Sequence, residues 1–239
     1  MNGGSAGGLA VYTWLDTVAE YIHARNPAAK VYGLADSGFF LDYPSFTNGT
    51  NDYTRNIKAV VDLVNHGEVP LPNKKCMAAN SATNPHHCLM AQYLVKYIET
   101  PLFITQSLYD TWQIPSILNI PCTKWPPYKH PFSSCNDTEL AAIQLYRDET
   151  FRLLQETFDM SNSTRSVWAP SCPFHGRTYY GTVDDPVSAS YVVPANSNNT
   201  LGLAANIFIY QNVTEALIDS LYWPENAKCA QTMYQYDFA

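Results

Sequence analysis

The sequence predicts an α/β protein, a mostly parallel sheet flanked by helices, with residues 1–239 forming a single domain. Two observations carry that expectation. Short apolar runs with strand character alternate with longer segments of helical spacing. Polar loops then follow the strand-like runs, the places where open α/β sheets keep their ligands.

The first element is a turn. Gly3-Gly4-Ser5-Ala6-Gly7 matches G-x-S-x-G, the nucleophile elbow of α/β-hydrolases. In that elbow a strand ends, the serine sits on a strained turn and a helix starts at once. Glycines on both sides leave room for the turn and for neighbouring backbone. A flexible Gly/Ser-rich start has the same letters, so the residues after Gly8 decide. Leu9, Ala10, Trp14, Val18 and Ile22 recur at helical spacing and Pro27 lies beyond, which predicts an amphipathic helix leading straight out of Ser5. Its N-terminus offers free N–H groups to a developing oxyanion. No strand is apparent ahead of Ser5.

Val31 to Ala35 reads as a short buried strand, and Asp36-Ser-Gly-Phe-Phe-Leu-Asp42 leaves its C-terminal end. Ile57 to Val64 and Leu89 to Ile98 read as helices, and Pro101 to Gln106 as a central strand. Asp137 to Phe158 is the clearest helix, with Leu140, Ile143, Phe151, Leu154 and Phe158 along one face and Asn136 or Asp137 as cap. Ser166 to Ala169 is a further strand. Neither repeats nor linkers interrupt this alternation.

Composition narrows the class. The 239 residues suffice for a substantial core, and 46% are hydrophobic. The net charge of −7 comes without a basic stripe, which argues against a nucleic-acid partner. No apolar run is long enough to span a membrane as a helix. Six cysteines (76, 88, 122, 135, 172 and 229) permit three disulfides, and Cys76–Cys88 and Cys122–Cys135 are the preferred local pairs. Asn48, Asn136, Asn162, Asn198 and Asn212 each open an N-x-[ST] sequon. With an even cysteine count, 17 tyrosines and only 15% charged residues, these point to a secreted, extracellular protein. Residues 1–8 have no signal-peptide character, so the expectation is the C-terminal part of a longer protein whose signal lies upstream.

A serine nucleophile needs a base, and the base an acid that fixes its tautomer. In α/β-hydrolases the chain order is serine, acid, histidine. Asp110 fits the acid, four residues past the strand at 101–106. Asp36 and Asp42 also follow a strand but precede it, and rank as wall or structural groups. Among six histidines, His23 and His66 suit helix C-termini. His86 and His87 resemble a metal cluster, but neighbouring side chains should point apart and no second ligand pair follows. His130 lies among prolines and aromatics. His175 comes last, in Ala-Pro-Ser-Cys-Pro-Phe-His-Gly-Arg, on a loop that a disulfide through Cys172 would stiffen.

Taken together, Gly3-Gly-Ser-Ala-Gly-Gly8, Gly33-Leu-Ala-Asp-Ser-Gly-Phe-Phe-Leu-Asp42, Leu71-Pro…Cys76…Cys88, Gln106…Asp110 and Ala169-Pro-Ser-Cys-Pro-Phe-His175 resemble the pectin acetylesterase/Notum family, in family order over roughly residues 1–225. The resemblance implies a serine carboxylesterase of α/β-hydrolase type, with Ser5 as nucleophile, Asp110 as acid and His175 as base. It implies an acyl-enzyme mechanism without metal or organic cofactor. Asn206 to Leu217 resembles the family's final strand and the start of a short helix, with Asn212-Val-Thr-Glu as the turn between them.

The chain departs from the family in two places. The N-terminal third, with its Gly-rich oxyanion loop, is missing, which leaves the Ala6 N–H as the oxyanion donor; one lost donor costs about 10²–10³ in rate. Most of the cysteine-rich tail is also missing, so Cys229 is expected to lack a partner. The implied substrate is an acylated polysaccharide or an acylated protein, and the expected state is a monomer. Phe39, Phe40, Trp112, Trp125 and Phe174 suit a sugar platform or an acyl tunnel. The A-x-x-G-F-F stretch resembles the plant-like members and favours acetyl esters of polysaccharide such as pectin. A Notum-like fatty-acyl protein esterase and a truncated, catalytically silent homologue are the alternatives.

Overall fold

A computed structural model describes residues 1–65, 71–123, 132–176, 191–195 and 197–226. Five strands, β1 (Asn2–Gly4), β2 (Gly33–Asp36), β3 (Leu102–Thr105), β4 (Arg165–Ala169) and β5 (Ala216–Ile218), lie side by side in chain order, each parallel to its neighbour. The α/β expectation thus holds, with the central strands close to where hydrophobic runs place them.

The strand ahead of Ser5, which the sequence does not announce, is present. Asn2, Gly3 and Gly4 pair with Leu34, Ala35 and Asp36. These residues carry no apolar signal because β1 is held by backbone alone, extended by the Leu34 N–H to the Met1 carbonyl.

Side-chain alternation gives the sheet two apolar faces. Ala35, Ile104 and Val167 share a register row and face one side; Leu34 and Phe103, with Trp168 and Leu217 in the next strands, face the other. Helices α1 (Ala6–His23) and α5 (Asp137–Asp159) cover the first face with Val11, Leu15, Ile143 and Leu154. The second is covered by Tyr191, Val193 and helix α6 (Leu201–Asn206), whose Leu201 and Ala204 line up with Phe208 in the turn after it. Helical structure therefore precedes Asn212 and a strand follows it, the reverse of the strand-then-helix expectation. Asn212 itself is left-handed (φ 57°) and ends the turn.

Two more expectations need correction. Helix α1 buries Val11, Tyr12, Leu15 and Ala19, while Trp14 is 47% exposed. Its orientation is set by a contact that apolar spacing does not register: Gly8 lies one turn before Val11 and Tyr12 and touches Gly38, backbone against backbone. A Cβ on Gly8 would lie 2.6 Å from the Asp36 carbonyl oxygen, and one on Gly38 would lie 2.4 Å from the Gly8 carbonyl carbon. The 89–98 segment is not one helix. Met90 is extended, and only α4 (Ala91–Leu94) is α-helical, between tighter turns at Pro85–Leu89 and Val95–Tyr97. The segment starting at Ile57 forms part of α2 (Asp52–Asn65), and α3 (Lys74–Asn80) precedes the first of those turns. Asn136 is the cap of α5, in a capping box closed by Glu139.

Cys76–Cys88 and Cys122–Cys135 are bonded as the local pairing predicts. Cys172 is disulfide-bonded as well. Cys229 lies outside the described residues, as do His66, Trp125 and His130.

The Gly8 contact is testable against its neighbour. Gly8→Ala should lower the thermal midpoint, at an overpacking cost of about 1–3 kcal/mol, although alanine favours helix. A Cβ on Gly7 meets nothing within 4 Å. Gly7→Ala should therefore stabilise by up to about 1 kcal/mol. Calorimetric melts of the two variants should move in opposite directions.

Candidate active site

Four successive strands end at the same edge of the sheet, and each releases a loop into one place. Ser5 follows β1 with φ 57° and ψ −122°, a conformation that non-glycine residues rarely hold. Its N–H donates to the Asp36 carbonyl (2.8 Å), and its carbonyl starts the ladder of α1 by accepting from Leu9. A Cβ on Gly3 would sit 2.3 Å from the Gly7 carbonyl oxygen, so the turn closes only around a glycine there. The Ser5 side chain caps nothing in the helix. It points instead to His175 Nε2, 2.7 Å away.

His175, on the loop after β4, turns its other ring nitrogen to Asp110, with Nδ1 2.9 Å and 3.0 Å from the two carboxylate oxygens. Every neighbour of that carboxylate is a donor. Oδ1 accepts from the Trp112 and Gln113 N–H groups, and Oδ2 from the side-chain amides of Gln106 (2.8 Å) and Gln113 (3.3 Å). Such a set suits an ionised carboxylate, whose best remaining partner is an Nδ1–H. This tautomer leaves Nε2 as acceptor for the serine hydroxyl. The Asp110 and His175 side chains are 1% and 6% exposed.

Gln106 and Gln113 each work in two directions. The Gln106 carbonyl accepts from Phe39 N–H; that of Gln113 accepts from Leu41 N–H and the Tyr146 hydroxyl. Both glutamines are wholly buried and fasten the acid to the Phe39–Leu41 backbone, with Gln113 reaching α5 as well. Burial, and then the charge of Asp110, push the Tyr146 hydroxyl well above its ordinary range, so it stays a neutral donor. Sequence reasoning placed Gln106 in a motif without a role and passed over Gln113. Its position three residues after Asp110, in a segment beyond a strand, was the available signal.

The predicted wall residues divide. Phe40 lies against Trp112 (ring centroids 5.1 Å) and within 6.4 Å of the His175 ring, and half-buried Trp112 stacks on that ring at 5.9 Å. Phe39 points the other way, fully buried on Tyr12 in the core, so it has no face for a ligand. Consecutive side chains leave an extended loop on opposite sides, which the FF doublet conceals. Phe174, on the second sheet face, stacks on Tyr191.

The family profile of Pectinacetylesterase matches residues 1–230. The chain belongs to the pectinacetylesterase family. Pectin acetylesterase 11 of Arabidopsis thaliana is 28% identical over 73% of this chain and 43% of its own length. The human palmitoleoyl-protein carboxylesterase NOTUM is 27% identical over 72% of this chain and 32% of its own. The fold matches the Drosophila Wnt deacylase Notum with a TM-score of 0.72 at 23% identity, over 95% of this chain and 57% of that one. The chain thus spans less than half the length of these two curated relatives.

The remaining candidates take other places in this family member. Asp42 anchors the far end of the Phe39–Leu41 loop. It accepts from Asn51, Thr54 and Tyr93, and its N–H donates to Gln92. Burial raises its carboxyl, but the Thr54, Asn51 and Tyr93 bonds and the nearby His87 outweigh that and hold it below the usual range. The His86 and His87 rings do not diverge as expected. They meet edge to face at 4.6 Å, because His87 stacks on Tyr93 at 3.9 Å. His23 closes α1 and contacts the Ala29 carbonyl. All five sequon asparagines are exposed.

Two outcomes are expected. Gln113→Leu strands the Leu41 N–H and the Tyr146 hydroxyl, at about 1–3 kcal/mol per buried orphan, and should depress the thermal midpoint more than truncation of any exposed α5 side chain. The lowered Asp42 carboxyl stabilises the fold above the ordinary carboxylate range and loses that contribution as pH falls through its own lower value. In melts from pH 7 to pH 2, Asp42→Asn should be less stable at neutral pH, and its gap to the parent chain should close in acid.

Proposed function

We propose that this chain carries the catalytic residues of a serine carboxylesterase. Ser5 would be the nucleophile, His175 the general base and Asp110 the group that holds the imidazole tautomer. The observation that carries the reading is the unbroken series from Ser5 Oγ to His175 Nε2 at 2.7 Å, and from Nδ1 to Asp110 at 2.9 Å, at the serine of a positive-φ elbow.

In the acylation step, His175 Nε2 takes the Ser5 proton as Oγ attacks the ester carbonyl. The imidazolium then returns that proton to the leaving alkoxide as the C–O bond breaks. A water, deprotonated by the same nitrogen, attacks the acyl-enzyme. The acid departs, and the proton goes back to Ser5. The N–H of Ala6, first residue of α1 and therefore without an intrahelical acceptor, would donate to the oxyanion.

As substrate we propose acetyl esters of an extracellular polysaccharide such as pectin. The named pectin acetylesterases among the relatives support this. Beside the imidazole, Phe40 packs on both Tyr53 and Trp112 and is only 3% exposed. Exposed sequons and disulfides support secretion and glycosylation.

Hydrolysis of p-nitrophenyl acetate tests the reading, on this chain and on a longer product carrying upstream sequence. Ser5→Ala and His175→Ala should each cost on the order of 10⁴–10⁶ in kcat. Across acyl chains from C2 to C8 and beyond, turnover should fall sharply with length. Faster turnover of the long esters would instead favour a NOTUM-like acyl preference, and Ser5-independent turnover in the longer product would defeat the esterase reading.

A further inference from the structure

Ser5 and His175 stand 170 residues apart in the chain, on loops that follow β1 and β4. Their alignment to within a hydrogen bond needs a connection that does not depend on the reacting atoms themselves. We infer that Ser37 is that connection, a positioning residue that fixes the His175 loop against the elbow.

Four observations converge on it. The Ser37 hydroxyl accepts the N–H of Gly176, the residue after His175, at 2.9 Å, across 139 residues of sequence. It donates to Asp36 Oδ1 at 2.9 Å. The carbonyl of the same Asp36 receives the Ser5 N–H, and the Ser37 N–H continues the ladder onto the Thr105 carbonyl at 2.8 Å. The dipeptide Asp36-Ser37 therefore touches the backbone of the nucleophile on one side and of the histidine loop on the other. It also sits on the strand whose neighbour delivers Asp110.

Conformation adds a fourth point. Ser37 is wholly buried and left-handed at φ 51°. Glycine would hold that backbone without strain, yet the residue carries a side chain, and its only polar atom is spent on these two bonds. Gly176 mirrors it at φ 74°, turning the chain so that its N–H faces back to the hydroxyl while the imidazole faces Ser5. A hydroxyl suits the task because it accepts and donates at once. A carboxylate could not donate onward to Asp36, and an alanine would leave the buried Gly176 N–H orphaned.

The inference rests on the esterase reading for its kinetic consequence only. Ser37→Gly removes the hydroxyl and orphans the Gly176 N–H but relieves the strained φ, so the fold should persist with a melting temperature above that of Ser37→Ala. With p-nitrophenyl acetate, kcat should fall about 10- to 100-fold while KM stays within about twofold, as expected for a displaced base rather than a lost binding contact. The low-field Nδ1 proton resonance of His175, a signature of its bond to Asp110, should broaden or shift in the same variant. Ser37→Ala, which keeps the strain, should show the same two changes with a lower melting temperature. Parent-like kcat and an unmoved resonance in Ser37→Gly overturn the inference. So does loss of fold in both variants, since Ser37 is then part of the scaffold only. Turnover that survives in Ser5→Ala sinks the esterase reading instead, and the resonance still reports on Ser37.

Discussion

The Asp110 carboxylate is the constraint around which the rest of the site is arranged. A charge at 1% exposure is tolerable only if each lone pair finds a donor, since an uncompensated buried charge costs several kcal/mol. Here five groups supply them: two backbone N–H groups, two glutamine amides and one imidazole. The glutamines cannot satisfy the acid without committing their own carbonyls, and these take up the N–H groups of Phe39 and Leu41. Satisfying one buried charge thereby fixes the loop after β2, the start of the segment after β3 and, through Tyr146, the middle of α5. Because every donor in this shell prefers the ionised form, the imidazole has one favoured tautomer, and the serine hydroxyl faces its lone pair.

Close backbone approach does for the elbow what hydrogen bonding does for the acid. Gly3 against Gly7 permits the turn, and Gly8 against Gly38 sets how α1 crosses the loop after β2. These contacts place the Asp36 carbonyl where the Ser5 N–H can reach it. The strain of a non-glycine elbow is then offset by that bond and by burial of the Val11, Leu15 and Ala19 face of α1 beneath it.

Much of this was legible in the sequence, and the exceptions have a common cause. Ser5, Asp110 and His175 could be read because each announces itself locally: a glycine-flanked serine, an acid just past an apolar strand, a histidine on a cysteine-bearing loop. The strands could be read because hydrophobic runs mark buried parallel sheet. What escaped was held by backbone or by distant partners. β1 has no apolar residue to reveal it. The face of α1 is chosen by a glycine contact that carries no hydrophobic signal, so Trp14 ended up outside. Phe39 and Phe40 are indistinguishable as letters and part ways only once the loop is extended. The order of helix and strand around Asn212 depended on whether Phe208 would find the Phe103 and Trp168 face, a contact across 40 residues of chain or more.

The histidine loop shows why so many separate ties are needed. An imidazole misplaced by about 1 Å is costly to any proton transfer it performs. The chain holds it at successive points. Leu108 N–H and the Ser107 hydroxyl reach the carbonyls of Pro170 and Cys172, Thr111 N–H reaches that of Phe174, and Gly176 N–H reaches Ser37. Below them, Ser171 is pinned to the segment after β5, which Arg147 of α5 clamps through the Asp219 and Leu221 carbonyls. Each bond alone contributes only about 1 kcal/mol. Their effect is geometric rather than energetic: the loop is fixed on both sides of His175, by the segment after β3 before it and by Ser37, just past β2, after it. The ring then has no independent freedom, and its orientation becomes a property of the sheet edge.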